Sequence, residues 1–423
     1  MKFYVSTIAL VFLSVSGFSQ PALNDTVYSK VTTKQAREQR YKYLLDTTIK
    51  QYLEDPLNDD NEGEWNDALW SMELLQFKDE FTRQKLMVAW SKAAQLSDYF
   101  QKNLLETTYS LYTKEFKGQA LQLMKQTKSA GIFLRCAEYV LRADPLNGKT
   151  IVVALLSQKF PRDTSIGIQI LKSRITAKKD QPLPPLNDIF SNSFLTGQTV
   201  IYSLQRSNRD YPGLVIIRKP DGSFVKDSSG NYFHTTQLAR ALADYPFYIT
   251  NGNTPQGILR FSGFDISRLL YIGPTTNLQL QLPYEATPAA FFGDSTLVYT
   301  PWYKNMYASL LPSSWKNYEG VYESFYAGAI GRSAVIMHGT TIDPGFYKTE
   351  TYYPQTPSLG CLCSYEEWND SGYRTNSNQQ KIVNVLNSIR SSSGYVVVID
   401  IDNKQKEVKI EEVQSLLDNL DNQ

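Results

Sequence analysis

From Val27 to Leu156, apolar residues recur at three- and four-residue intervals, the spacing that lines one face of a helix. "SKVTTKQAREQRYKYLLDTTIKQYLED" places Ala36, Tyr43, Leu44 and the Ile49–Leu53 turn on such a face, and the acidic loop "DPLNDDNEGE" follows it. The pattern returns in "EWNDALWSMELLQFK", "EFTRQKLMVAWSKAAQL", "NLLETTYSLYTKEF", "QALQLMKQT" and "AGIFLRCAEYVLRAD". Segments of this length with short polar breaks predict antiparallel helix pairs stacked as an irregular solenoid, an all-α domain over residues 27–156. Trp65, Trp70 and Trp90 fall at helical spacing and are expected in its core. Cys136, inside "FLRCAEYVL", reads as a small buried hydrophobe.

The texture then changes. "ITAKKDQPLPPLNDIF" carries Pro182, Pro184 and Pro185, and residues 157–194 are expected to form a semi-rigid linker. Beyond it the alternation is that of strands: "TVIYSL", "GLVIIRKPDGSFV", "PFYIT", "NLQLQLPY", "STLVYT", "SAVIMHG" and "GYVVVIDID", with a hairpin signal at Asp221-Gly222. "FHTTQLARAL", which contains His234, has helical spacing, as does "NQQKIVNVLNSIRS". Residues 403–423 predict a charged terminal helix. The second half is therefore a mostly β domain.

The first twenty residues differ from everything after them. Lys2 precedes an uncharged, mostly apolar stretch from Tyr4 to Phe18, and Gly17 and Ser19 stand before Gln20, the layout of a signal peptide over residues 1–19. That stretch is shorter than the ~20 residues needed to span a bilayer, and no later stretch qualifies, so an exported protein without an integral membrane segment is expected. A net charge of +1 gives no electrostatic argument for a nucleic-acid partner. Export makes the three cysteines (Cys136, Cys361, Cys363) notable, because an odd number leaves one thiol free in an oxidising compartment.

Two of those cysteines lie in "IMHGTTIDPGFYKTETYYPQTPSLGCLCSYEEW" with one of the only two histidines, His338. A thiol is a poor nucleophile until an imidazole takes its proton. His338 closes the apolar run "SAVIM", so it is expected at a strand end. Gly339 leaves a carbonyl to orient the ring, and Gly360 suits a tight turn presenting Cys361 beside backbone N–H groups able to hold an oxyanion. Together these groups predict acyl transfer through a thioester. His338, Cys361 and Cys363 are too few ligands for zinc, and no metal or other cofactor is expected.

"IMHGT" followed by "SLGCLC" resembles the signature of the L,D-transpeptidases, the YkuD-type domain. "NGNTPQGILRFS" is similar to the upstream T-P-x-G strand of such domains, and "KIVNVLNSIRSSSGYVVVIDI" to their closing helix and final strand. The resemblance covers residues 195–402, with an aromatic-rich insertion at about 266–330. It implies Cys361 as nucleophile, His338 as base, the Gly339 carbonyl as the orienting group, and Ser358 and Gly360 as residues shaping an oxyanion turn with the Cys361 N–H. The implied donor is a peptidoglycan tetrapeptide stem, cleaved with release of its terminal D-alanine and passed to an amine acceptor. Two positions depart from the family: Leu359 replaces a histidine and Cys363 an arginine. Arg332 or Arg374 would have to substitute for that arginine. Trp302, Tyr303, Tyr307, Trp315, Tyr318, Tyr322 and Tyr326 either roof the cleft as a substrate-binding surface or fill a core of their own. The same residues would serve an L,D-carboxypeptidase or endopeptidase. A non-catalytic wall-binding scaffold, with the helical domain as a protein-partner platform, is the reading of a different class.

Overall fold

The computed structural model describes residues 26–176 and 181–421, so the expected signal peptide lies outside the described residues. The N-terminal half is helical, as the spacing predicts. Its principal helices are Lys34–Lys42, Glu62–Leu75, Glu80–Lys92, Asp98–Leu111, Lys117–Gln126, Ala130–Ala143, Gly148–Lys159 and Ile166–Thr176, with a π-helical stretch at Tyr43–Gln51. Polar residues cap the starts of four of them, Lys34–Lys42, Glu80–Lys92, Asp98–Leu111 and Ala130–Ala143. Ser97 Oγ accepts from Phe100 N at 3.1 Å, and Asp79 and Thr82 form a reciprocal capping box.

The segment expected as a linker is largely helical. Ile166–Thr176 buries Ile168, Leu171 and Ile175, spaced i, i+3, i+7, in the same core as the preceding helices. Leu186–Phe190 adds Ile189 and Phe190 to a second core.

The C-terminal half is built on an eight-stranded mixed sheet. Its strands are β1 (Val200–Arg206), β2 (Gly213–Arg218), β3 (Thr235–Gln237), β4 (Gly257–Ile266), β5 (Thr276–Gln281), β6 (Ile336–His338), β7 (Leu362–Cys363) and, after a β8 (Glu366–Trp368) and β9 (Arg374–Ser377) hairpin, β10 (Gly394–Asp402). The order is β3-β2-β1-β10-β4-β5-β6-β7, with β1–β10 and β6–β7 parallel. Alternation divides the strands cleanly. Ile201, Val215, Ile217, Leu259, Phe261, Val396 and Val398 join helix Asn378–Ser388 and the N-terminal helices in one core. Val200, Tyr202, Leu204, Ile216, Ile258, Val397 and Ile399 face the other core.

The helices contact the loops of the β half. Tyr109 stacks on Tyr245 with ring centroids 3.9 Å apart, Arg142 pairs with Asp244 at 2.9 Å, and the Tyr347 hydroxyl donates to the Leu74 carbonyl at 2.9 Å. Among the described residues no helix is long and apolar enough to cross a membrane.

Several local expectations are corrected. "FHTTQLARAL" is extended: Thr235 and Thr236 pair with Val215 and Leu214, and the chain then bridges to Cys363 and Ser358, so strand pairing overrides helical spacing. "PFYIT" forms turns and "STLVYT" holds the short 3₁₀ helix Ser295–Leu297. The terminal helix is confined to Gln414–Asp421, with a 3₁₀ turn at Ile410–Glu412 before it.

Candidate functional site

Three chain segments meet at the β6–β7 end of the sheet. β6 ends in His338 and pairs in parallel with β7, setting Met337 opposite Leu362 and His338 opposite Cys363. Cys361 lies immediately before β7 and two residues from Cys363. The Cys361 Sγ lies 3.5 Å from the N–H of Ile336, two residues before His338 on β6. The third segment, Tyr245–Thr254, lies under the turn: Thr254 Oγ1 donates to the Gly360 and Cys361 carbonyls at 3.1 and 3.3 Å.

His338 is buried. Its Nδ1 lies 2.5 Å from the Gly339 carbonyl, which only accepts, so Nδ1 carries the proton and Nε2 presents a lone pair. Burial pushes the imidazole down to about 4, partly opposed by that carbonyl, so the ring is neutral at pH 7. Gly339 admits a close approach, because a Cβ there would fall on the Glu366 carboxyl unless that side chain moved.

Gly360, at φ +105°, makes the turn. Ser358 Oγ accepts from Gly360 N at 3.2 Å and Cys361 N at 2.8 Å, and its hydroxyl donates to the Cys361 carbonyl at 2.9 Å. Ser358 thus ties the turn together through its hydroxyl, and in doing so occupies the Cys361 N–H. The Cys361 thiol, partly exposed, accepts from Ile336 N at 3.5 Å and lies 3.6 Å from the Ala334 carbonyl. Burial raises its pKa. The Ile336 N–H and the Arg332 guanidinium pull it down, and Glu285 pushes it up. Ala334, whose carbonyl faces the thiol, adopts left-handed backbone at φ +58°.

Arg332 is buried beneath the turn and donates to the carbonyls of Phe247, Gly252 and Asn253, the last two at 2.9 Å. Its pKa falls to about 10 through burial, opposed chiefly by Cys361. It therefore supplies positive potential near the thiol and ties down the supporting loop. Arg374 points elsewhere, donating to Thr275 Oγ1 at 2.7 Å and lying 3.8 Å from Glu366. Cys363 is buried against Thr356 Oγ1 at 3.6 Å with its thiol raised to about 12 by burial. Leu359, two residues before Cys361, is 51% exposed.

The insertion aromatics mostly serve the second core. Trp315 is fully buried with Nε1 donating to the Pro185 carbonyl at 3.1 Å, and Tyr318 packs edge-on against it. Tyr307 accepts from Ile258 N at 2.7 Å, tying the insertion to β4. Trp302 donates to the Ala286 carbonyl and packs against Phe291, while Tyr303 stays half exposed. His234 lines a separate cavity of about 490 Å³ with Tyr232, Lys381 and Asp418, whose lining does not include Cys361.

Sequence reasoning missed Glu366. It is buried on β8, accepts from Thr340 N at 3.0 Å and from Ser377 Oγ at 2.6 Å, and burial pushes its carboxyl up to about 7. The signal was the glycine itself, since Gly339 marks a close approach by something. Comparison with family models, with curated proteins and with solved structures finds no match for the chain.

Proposed function

We propose that the chain is a cysteine-dependent L,D-transpeptidase that acts on peptidoglycan stem peptides in the cell envelope. The reading is supported chiefly by one observation: a neutral histidine with its Nδ1–H fixed on the Gly339 carbonyl closes the strand beside the one that Cys361 leads into. The site that this implies works as follows. His338 Nε2 accepts the Sγ proton as Sγ attacks the carbonyl of the L-centre before the terminal D-alanine. The tetrahedral oxyanion forms near the Cys361 N–H, which must be shared with or released by Ser358 Oγ. On collapse the C–N bond breaks, and the imidazolium returns its proton to the departing D-alanine amine. An acceptor amine then attacks the thioester, His338 takes its proton, and the thiol is regenerated. The N-terminal residues, read as a signal peptide, support export, and the exposed Leu359 and Tyr303 are available to substrate.

The test is intact mass after incubation with a carbapenem, followed by muropeptide analysis of sacculi treated with the protein. A single adduct on wild type that disappears in Cys361→Ala, with D-alanine release from tetrapeptide stems, is expected. No adduct on folded wild type, or one surviving Cys361→Ala, would remove the reading. New crosslinks mark a transferase, and tripeptide stems alone mark a hydrolase using the same residues.

A further inference from the structure

We infer that Glu366 is a positioning residue that acts on His338 through the single peptide unit joining Gly339 to Thr340. The inference rests on His338 being the base of the proposed reaction. The carbonyl of that unit, Gly339 O, receives His338 Nδ1–H, and its amide, Thr340 N–H, donates to Glu366 Oε2 at 3.0 Å. Carboxylate, peptide and imidazole therefore form one hydrogen-bonded chain, with the peptide standing where a carboxylate–histidine pair would touch directly. A negative charge on the amide N–H polarises the peptide and draws more negative charge onto its oxygen. That strengthens the bond from Nδ1–H and raises the basicity of Nε2. The effect opposes the burial that depresses this imidazole.

The arrangement is held from several sides. Ser377 Oγ donates to the other carboxyl oxygen at 2.6 Å, and Arg374 Nη1 stands 3.8 Å away. Trp368 Nε1 donates to the Thr340 carbonyl at 2.9 Å and Ser364 N to the His338 carbonyl at 2.8 Å, which anchors the peptide units on either side, and turning over the Gly339–Thr340 unit itself would break its bonds to both His338 and Glu366. Glycine at 339 is what admits the carboxyl against the backbone. The groups facing Glu366 are Thr340, Ser377 and Arg374 of β9, Thr275 ahead of β5, and the Cys363 thiol of β7, so Arg374 is the cation and Cys363 the second titratable group. Were Glu366 there only to satisfy Thr340 N–H, an amide oxygen would serve as well. That difference makes the inference testable.

The experiment is a titration followed by ¹⁵N–¹H spectra of the full chain labelled at histidine. With two histidines in the sequence, His234→Gln assigns the His338 signals. In wild type, His338 is expected as the Nδ1–H tautomer, and its ring ¹⁵N shifts should move near pH 7 as Glu366 ionises, with the ring itself still neutral. In Glu366→Gln that inflection should vanish, and the His338 pKa should fall by about 1 unit. Ser377→Ala, which leaves the carboxyl in place but removes one donor to it, should displace the inflection upward. If Glu366→Gln does not fold, the displacement in Ser377→Ala decides alone. A His338 tautomer, shift profile and pKa identical to wild type in the folded variants would overturn the inference. No substrate is needed, so loss of the Cys361 adduct with an intact inflection removes the proposed function and keeps the relay, and the reverse result removes the relay alone.

Discussion

On the histidine side of the site, backbone groups from Met337 to Thr340 are tied to distant parts of the chain. Gln379 Nε2 donates to Met337 O, Ser364 N to His338 O, Thr340 N to Glu366 and Trp368 Nε1 to Thr340 O. On the thiol side one hydroxyl, that of Ser358, bonds both N–H groups and a carbonyl of the same turn, and the flanking residues, Leu359 and Ala334, are respectively exposed and left-handed. The histidine is thus preset, whereas the two N–H groups of the cysteine's turn share one hydroxyl that a side-chain rotation can withdraw, with Thr254 holding only the turn's carbonyls. Preorganisation is worth most where a proton must be taken, and local freedom is tolerable where N–H groups must exchange one oxygen for another.

The largest expected break in this comparison is His338→Gln. Loss of the general base should slow acylation of Cys361 by about 10²- to 10⁴-fold, measured as the rate of adduct formation by mass. The same variant reads the histidine's burial. In the folded chain the imidazole titrates at about 4, below its ordinary value of 6.5, so between these values the unfolded chain binds more protons and wild-type stability falls as pH drops. His338→Gln should therefore gain relative stability by up to roughly 3 kcal/mol on going from pH 6.5 to 4 in urea unfolding. Glu366 acts with the opposite sign. Its carboxyl, raised to about 7, costs stability as pH rises from 4.5 to 7, so the two slopes partly cancel in wild type. A stability difference between His338→Gln and wild type that stays flat across this window would sink the buried-neutral description of the ring.

His338 and Cys361 were legible because they are scarce residue types next to glycine, and a strand-ending histidine follows from the apolar run before it. Glu366 was not, since nothing in "SYEEW" separates a buried carboxylate from an exposed one until β8 is placed behind Gly339. The helical and β halves were legible from period alone. Their joining was not, because it depends on pairs such as Tyr109 with Tyr245 that periodicity does not register. The insertion aromatics were readable as apolar mass, but which face they cover was fixed only when Tyr307 met β4 and Trp315 met Pro185.

A middle-sized test sharpens the contrast between the two glycines. At Gly360 an added Cβ would strike the Gly252 carbonyl and Arg332 Nη2 and would sit at φ +105°, so backbone strain adds to the collision. At Gly339 it would strike the Glu366 side chain, which has rotamers to move through. Gly360→Ala should cost more than the 1–3 kcal/mol typical of overpacking, and Gly339→Ala an amount within it, by urea unfolding. Gly339→Ala should nevertheless lose more of the His338 orientation seen by NMR. Equal effects of the two substitutions on that signal would erase the distinction between a preset base and an adaptable turn.

The smallest effect is expected at Cys363, the position that departs most from the resembling family. Its thiol is buried, raised to about 12, and paired with Thr356, so it behaves as a packing residue, and Arg332 supplies positive charge near the Cys361 thiol from another segment. Cys363→Ala should remove one buried sulfur, cost about 1 kcal/mol, and leave the rate of Cys361 acylation within about twofold of wild type. At pH 8 iodoacetamide should label Cys361 and spare Cys363, because thiolate fraction and access both favour the former. Labelling at Cys363 ahead of Cys361, or a large drop in acylation rate in Cys363→Ala, would place the second cysteine in the chemistry and overturn its assignment to the core.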